Sequence, residues 1–238
     1  MIGLLGKKLG QTRVHDTRGN LVSVTVVLAG PNRVLQCKTK ESDGYVAVQL
    51  GFDDQKEQRV TKARAGHVRK HQGVPVRRIR EFRGFSLPVK PGDVLGPAIF
   101  TVGDFVDAIG TTKGRGFEGV VKRYNFRGGD MTHGAKGWHR RSGAIGQRLF
   151  PGTVRRGLRM PGHMGQVRRT VQNLEVIQVL EQDNLILVKG AIPGAAGDYV
   201  ILRESKKIPR ALVEARRKAQ AEAAKAKETG KAGAKGSK

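Results

Sequence analysis

Short apolar runs separated by turn-forming residues dominate the first 110 positions of the chain. β-branched and apolar residues alternating with polar ones at this length are typical of β-strands. The first three runs, separated by Gly-Pro-Asn and Ser-Asp-Gly turns, predict a meander of antiparallel strands. The predicted strands of this part are Val22 to Ala29, Arg33 to Lys40, Tyr45 to Phe52, Val94 to Phe100 and Asp104 to Ile109.

A basic stretch interrupts this pattern near residues 60–84, where a small helical or hairpin excursion is expected. Thr61 to Gln72 is predicted to be helical and to end at Gly73. Strand patterns return late in the chain, at Val171 to Leu180, Leu185 to Gly190 and Tyr199 to Arg203.

Between Gly110 and Val171 the strand pattern is absent for about 60 residues, 13 of which are glycine. The only regular element predicted there is a short helix near Phe117 to Tyr124. A loop of this length is unusual inside a compact domain. We therefore predict one β-domain made of residues 1–110 and 171–205, an extended insertion over 111–170, and a flexible Ala/Lys-rich tail over 206–238.

Charge follows the same division of the chain, which carries a net +25 and has a pI near 11.0. Residues 111–170 hold 14 Lys and Arg against two acids, and residues 206–238 hold 11 against three. The other 145 residues have 20 basic and 15 acidic groups. A polyanionic partner is indicated, because basic residues near phosphates release condensed counterions; an anionic membrane would attract the same charge.

Three further features narrow the class of protein. Cys37 is the only cysteine, so neither an internal disulfide nor a Cys-based zinc site is possible. The opening apolar run is too short for a signal peptide, and no stretch of 18 apolar residues occurs. A soluble intracellular protein is therefore expected. We further predict a cytoplasmic location and no membrane as a partner.

Gly114 to Gly119 (GRGFEG) matches the G-x-G-x-x-G pattern of dinucleotide sites. Such a site also requires a βαβ unit and an acid about 20 residues further on. Position 139 is His, and no acid lies between Asp130 and Glu175. No Gly-x-Ser-x-Gly elbow or close carboxylate pair occurs in the basic segment either. We predict no enzyme activity, no cofactor and no small-molecule substrate.

Histidines do not suggest a metal site. His67 and His71 have the i, i+4 spacing of zinc-binding helices, but Val68 stands where the catalytic Glu would be, and the neighbours are cationic. His133, His139 and His163 lie among arginines, which disfavour a metal cation. We interpret them as polar or phosphate-contacting groups.

The insertion has the composition of an RNA-binding segment. Glycine lets the backbone approach phosphates and bases closely, arginine contacts phosphates and guanine edges with a planar fork, and large apolar side chains stack on bases. The candidate RNA-binding residues are Lys113, Arg115, Lys122, Arg123, Arg127, His133, Lys136, Trp138, His139, Arg140, Arg141, Gln147, Arg148, Leu149, Phe150, Arg155, Arg156, Arg159, His163, Arg168 and Arg169.

Three other interpretations of the chain remain open on these patterns. The insertion could be a solvated basic loop, although two prolines and several large apolar residues favour a defined bound path. An RNA-modifying transferase would need an acid for the ribose and a base, and neither is present. A DNA-compacting basic protein would bind duplexes without regard to their sequence.

Five glycine-punctuated stretches in one order resemble the bacterial large-subunit ribosomal protein number three family, over nearly the whole chain except the tail. They are MIGLLGKKLGQT at the start, TKGRGFEGVVKRYNF (112–126), MTHGAKGWHRRSGAIGQ (131–147), FPGTVRRGLRMPGHMG (150–165) and LVKGAIPGAAG (187–197).

This resemblance implies a mainly β protein: a translation-factor-like antiparallel β-barrel with short helices and a long, irregular basic loop. It further implies binding to 23S-type rRNA, neighbouring large-subunit proteins as partners, and a role in early subunit assembly. The loop tip, at about Gly143 to Gly152, would approach the peptidyl transferase centre. Some members carry a methylated Gln where Leu149 stands here, so that modification is not expected.

Overall fold

The computed structural model of the chain describes residues 1–16, 19–70, 73–208 and 211–215. Residues 216–238, most of the predicted tail, lie outside the described part, as does His71. The described residues form two compact units. Unit 1 contains the chain up to Thr111 and from Arg169 onward, and unit 2 contains Thr112–Arg168.

Strands outnumber helices throughout the described residues. The α-helices are α1 (Lys40–Asp43), α2 (Lys62–Lys70) and α3 (Val120–Tyr124). The strands are β1 (Gly3–His15), β2 (Leu21–Leu28), β3 (Asn32–Lys38), β4 (Ala47–Asp54), β5 (Val76–Arg83), β6 (Val94–Leu95), β7 (Phe105–Thr111), β8 (Gly116–Glu118), β9 (Gly162–Met164), β10 (Arg168–Leu180), β11 (Leu185–Lys189) and β12 (Tyr199–Glu204).

Six strands of unit 1 close into an antiparallel barrel in the order β1-β12-β7-β10-β11-β2. Closure leaves no free strand edge in this sheet. Unit 2 is inserted between β7 and β10, which are neighbouring strands of the barrel. The mainly β class and the barrel expected from the resemblance are thus confirmed.

The barrel interior is filled by aliphatic side chains from every one of its strands. Along β12, Val200 and Leu202 are fully buried in this core, while Tyr199 and Ile201 point the other way. The period of two in a strand places alternate residues on opposite faces. The outward pair packs against a second sheet, of order β5-β4-β3-β6. Strand β12 therefore contributes side chains to two hydrophobic cores.

Asn32 ties the second sheet to the barrel. Its side chain is fully buried, and its Oδ1 accepts a hydrogen bond of 3.0 Å from the Leu5 amide of β1. Its Nδ2 donates to the carbonyls of Leu5 (3.0 Å) and Ala29 (2.9 Å). The side chain thus satisfies backbone groups that a further strand would otherwise pair.

We predict that Asn32→Ala lowers the free energy of unfolding by about 2–4 kcal/mol, because each buried polar group left unsatisfied costs roughly 1–3 kcal/mol. Denaturant unfolding of the full chain measures the change. Asn20→Ala, at an exposed position, is the matched control and should change stability by less than about 0.5 kcal/mol. Equal effects of the two substitutions would show that the Asn32 hydrogen bonds add nothing.

Several predicted elements of unit 1 need correction. The meander is wrong for the first run, because β2 belongs to the barrel and pairs with β1 and β11, whereas β3 and β4 pair in the second sheet. The long strand β1 was not predicted, and neither was β5. Val94 to Phe100 is a strand only over Val94–Leu95 and then forms a 3-10 turn at Pro97–Ile99.

Glycine explains why β1 escaped prediction. Gly3 and Gly6 weaken the strand pattern, since glycine is depleted in strands. A Cβ at Gly3 would lie 2.3 Å from the Phe82 ring, and one at Gly6 would lie 2.7 Å from Val27 Cγ1. These positions lack side chains because neighbouring side chains and backbone already occupy the space.

Candidate nucleic-acid interface

Unit 2 begins and ends with two chain segments that are hydrogen-bonded to each other. The Thr112 amide donates to the Val167 carbonyl at 2.9 Å, and the Gln166 amide donates to the Thr112 carbonyl at 3.2 Å. Beyond this contact β8 pairs with β9, with Phe117 opposite His163. The prediction that the short helix was the only regular element here was therefore wrong.

Gly165 permits this close approach of the two segments. Its φ is +81°, and a Cβ there would lie 2.2 Å from the Lys113 carbonyl oxygen. Only glycine combines that backbone conformation with the absence of a side chain.

Helix α3 is held by contacts to the returning segment. Arg123 Nη1 donates to the Met160 carbonyl at 2.6 Å. The guanidinium carbons of Arg123 and Arg159 lie 4.9 Å and 5.6 Å from the centroid of the Tyr124 ring. The Tyr124 ring thus makes cation–π contacts with two arginines from the two segments of unit 2.

A second close approach lies further along the unit. The Gly129 amide donates to the His139 carbonyl at 3.2 Å. Cβ atoms at Gly128 and Gly129 would lie 2.2 Å from the His139 oxygen and 2.8 Å from the Trp138 oxygen. Next to this crossing, the Arg141 guanidinium stacks on the Trp138 ring at 4.8 Å.

Residues 140–159 are exposed without interruption and contain no helix or strand. Leu149 and Phe150 are 90% and 85% exposed, which is unusual for large apolar side chains. Exposure of adjacent large apolar side chains to water is unfavourable. The exposed segment is therefore suited to a partner that covers them.

The charge of this unit is largely uncompensated. Its two acids are engaged by Lys122–Glu118 and Arg127–Asp130 ion pairs. Within the described residues no ion pair is formed by the following predicted site residues: Lys113, Arg115, Lys136, Arg140, Arg148, Arg155, Arg156, Arg168 and Arg169.

The predicted site residues do not converge on one pocket. Lys113 to Arg127 and Arg155 to Arg169 form the two antiparallel segments, and Gln147 to Phe150 lie in the exposed stretch between them. Arg123 and Arg159 are brought together; His133 and Lys136 are separate and exposed. This distribution suits an extended polyanion rather than a small molecule.

Tyr124 was missed by the sequence reasoning, although it positions two arginines. The sequence gives little indication of this role, because a single aromatic residue at the end of a short helix more often makes ordinary hydrophobic contacts. The close approaches at Gly128 and Gly165 were equally hidden among the many glycines of the insertion, since composition does not reveal which glycines lie against another segment.

The rejected motifs have other structural roles. Gly116 and Glu118 belong to β8, which pairs antiparallel with β9, so the Gly114 to Gly119 stretch lies at a two-stranded antiparallel sheet and not in a βαβ unit. Among the described residues, no group of three or more His, Cys, Asp or Glu side chains is arranged to hold a metal ion. No helix in the described part is long and apolar enough to span a membrane.

Comparison with known proteins identifies the family of this chain. Residues 90–185 match the family model of ribosomal protein L3. The large ribosomal subunit protein uL3 of Deinococcus radiodurans is 51% identical over 207 residues, covering 87% of this chain and 96% of the relative. The uL3 proteins of Akkermansia muciniphila and Pseudomonas fluorescens are 46% and 47% identical, each over 87% of this chain and 99% and 98% of the relative. The chain therefore belongs to the uL3 family of large-subunit ribosomal proteins, whose members are structural components of the ribosome and not enzymes.

Proposed function

We propose that this chain binds 23S-type rRNA through unit 2, which enters the folded RNA while unit 1 holds its two ends. In this proposal the predicted insertion, residues 111–170, is the RNA-penetrating segment. Neighbouring large-subunit proteins are further partners, and binding supports an early stage of subunit assembly.

The observation on which the proposal depends is the lack of a hydrophobic core in unit 2. Of its 57 residues, all described, Val120 is the only buried hydrophobic one. A segment that buries so little apolar surface cannot offset the entropy of ordering its backbone. Its defined path is therefore stabilised by contacts with a partner.

The charge of unit 2 suits a polyanionic partner such as RNA. Two antiparallel segments with arginines along both sides can neutralise phosphates of several RNA strands at once. Close packing of RNA helices is opposed by phosphate repulsion, so a cationic segment between them lowers the free energy of the packed state. Such a segment would act while the RNA is still folding, which is why we assign it to assembly.

We propose that the exposed stretch at Gly143 to Gly152 is the deepest part of the insertion and approaches the peptidyl transferase centre. The resemblance supplies this location. Leu149 and Phe150 support it, because their exposed side chains suit stacking or wedging against bases. Arg148 between the glycines supplies a guanidinium at the same point.

We predict that the full chain prefers 23S rRNA over duplex DNA of equal phosphate concentration by at least about tenfold, or ~1.4 kcal/mol, at physiological salt. The preference arises because the path of unit 2 suits a folded RNA, whereas counterion release alone is similar for both polymers. Competition binding with a labelled rRNA transcript measures it. Equal competition by the two polymers would favour the DNA-compacting interpretation.

A further inference from the structure

Positive charge is concentrated in one stretch of the barrel-forming part of the chain, although the charge of that part as a whole is nearly balanced. Residues 60–84 hold eight Lys and Arg against one acid, Glu81. Another 120 residues lie outside this stretch, outside the insertion and outside the tail. They hold 12 basic and 14 acidic groups. All of the net positive charge of that part therefore resides in α2, β5 and the residues around them.

β5 is an edge strand of the second sheet, and four arginines project from it. Arg77, Arg78, Arg80 and Arg83 are exposed. Lys62 and Arg64 of α2 are exposed as well. We call these six residues the arginine edge. None of them forms an ion pair within the described residues.

The acids beside the arginine edge are engaged by other groups. Glu81 accepts hydrogen bonds from Tyr45 and Gln49 and pairs with Lys38 at 2.9 Å. Hydrogen bonding from Lys38 lowers the pKa of Glu81, so this carboxylate stays ionised and paired with Lys38. Asp54 pairs with Arg33 at 2.8 Å, and Asp53 accepts from the Tyr199 hydroxyl.

Aromatic rings orient the arginines. The guanidinium carbon of Arg78 lies 4.6 Å from the Tyr199 ring centroid, and that of Arg83 lies 4.7 Å from the Tyr45 ring centroid. Burial, followed by the Asp53 hydrogen bond, raises the pKa of Tyr199, so its hydroxyl remains a donor. Stacked guanidinium groups keep their N–H groups available for oxygen acceptors and lose less entropy on binding.

We propose that the arginine edge is a second RNA-binding surface, which binds backbone phosphates independently of unit 2. Arg78 and Arg80 share one face of β5, whereas Arg77 and Arg83 lie on the other. Alternate residues of a strand are about 6.6 Å apart, so Arg78 and Arg80 have a spacing comparable with that of successive phosphates of one RNA strand. Addition of a protein strand to the same edge is disfavoured, because charged edges resist pairing and Arg64 Nη2 already donates to the Arg77 carbonyl at 3.1 Å. This inference rests on the proposed RNA binding.

The test measures how the binding of two triple variants to a full-length 23S rRNA transcript depends on salt concentration. In the full chain, the triple change Arg77→Gln, Arg78→Gln and Arg80→Gln removes three charges from the arginine edge. The control, Arg13→Gln, Lys40→Gln and Lys90→Gln, removes three exposed charges elsewhere in unit 1. Each lost phosphate contact lowers the slope of log K against log salt by about 0.7–0.9.

We expect the slope to fall by about 2–3 for the arginine-edge variant and by less than about 1 for the control. Changing the same three arginines to lysine should restore the slope but not the full affinity, because lysine lacks the planar fork. Equal slopes for the first two variants would overturn the inference. So would normal RNA binding accompanied by lost capture of a ribosomal protein or by self-association, which would assign the edge to protein contacts or to aggregation control.

Failure of this inference can be told apart from failure of the proposed function. Removal of unit 2 from the chain tests the latter. If that removal weakens RNA binding while the arginine-edge variant binds normally, only the inference fails. If the arginine-edge variant alone loses affinity, the proposed role of unit 2 fails and the inference is supported.

Discussion

Replacing residues 113–166 by an Asn-Gly turn is expected to leave unit 1 folded and to abolish incorporation of the protein into large subunits. Thr112 and Val167 are already hydrogen-bonded at 2.9 Å. A two-residue type I′ turn is suited to join antiparallel segments at that distance. Unit 1 retains its barrel core, which lies wholly outside the removed residues.

The thermal midpoint of this variant and its yield in large subunits reconstituted from purified components are the two measurements. A midpoint within a few degrees of the parent, together with loss of reconstituted subunits, is the predicted pair of results. Normal reconstitution by the shortened chain would contradict an assembly role for unit 2. A matched control is the chain with the Asn32→Ala change, which weakens unit 1 and leaves unit 2 intact.

Gly128→Ala is expected to weaken rRNA binding by at least about tenfold, or ~1.4 kcal/mol. The new Cβ would lie 2.2 Å from the His139 carbonyl oxygen, so the two segments must move apart. The backbone φ of +79° adds strain of about 1–3 kcal/mol. The rearrangement displaces Trp138 and the arginines that follow it.

Gly134→Ala separates backbone strain from steric exclusion. Gly134 has nearly the same φ, +81°, but a Cβ there meets no atom within 4 Å. This control should therefore bind rRNA within about threefold of the parent, or ~0.7 kcal/mol. Filter binding of both variants to the same transcript decides the question. Similar losses for the two would mean that the close approach at Gly128 has no part in binding.

Much of unit 1 was predictable from the sequence, because its central strands are rich in β-branched residues. The predicted strand at Val22 to Ala29 is β2, and those at Leu185 to Gly190 and Tyr199 to Arg203 are β11 and β12, with ends differing by one residue. These strands bury one face in a core, and burial of alternate residues is the property that the pattern detects.

Other elements could not be predicted from local pattern. β5 contains four arginines and lies at a sheet edge, where exposed positions on both faces obscure the period of two. β8 and β9 have three residues each and exist through their pairing with one another. Partner choice between β2, β3 and β4 depends on long-range contacts that the order of runs along the chain does not encode.

The candidate site divides in the same way. Arginine and glycine content located the basic insertion, but not the Tyr124 ring between Arg123 and Arg159. Charge counting also treated the barrel-forming part as near-neutral, because acids elsewhere in its sequence offset the arginines of β5 in the sum. Only the ion pairs of the folded protein show that the acids close to those arginines are engaged elsewhere.

A photo-crosslinking group at position 149 reports which molecule lies against the tip of the insertion. Leu149 is 90% exposed, so a benzophenone side chain there is tolerated and reaches the nearest partner. After assembly into large subunits and irradiation, we expect a covalent adduct with 23S rRNA at nucleotides of the peptidyl transferase region. Adducts formed only with proteins, or with rRNA remote from that region, would contradict it.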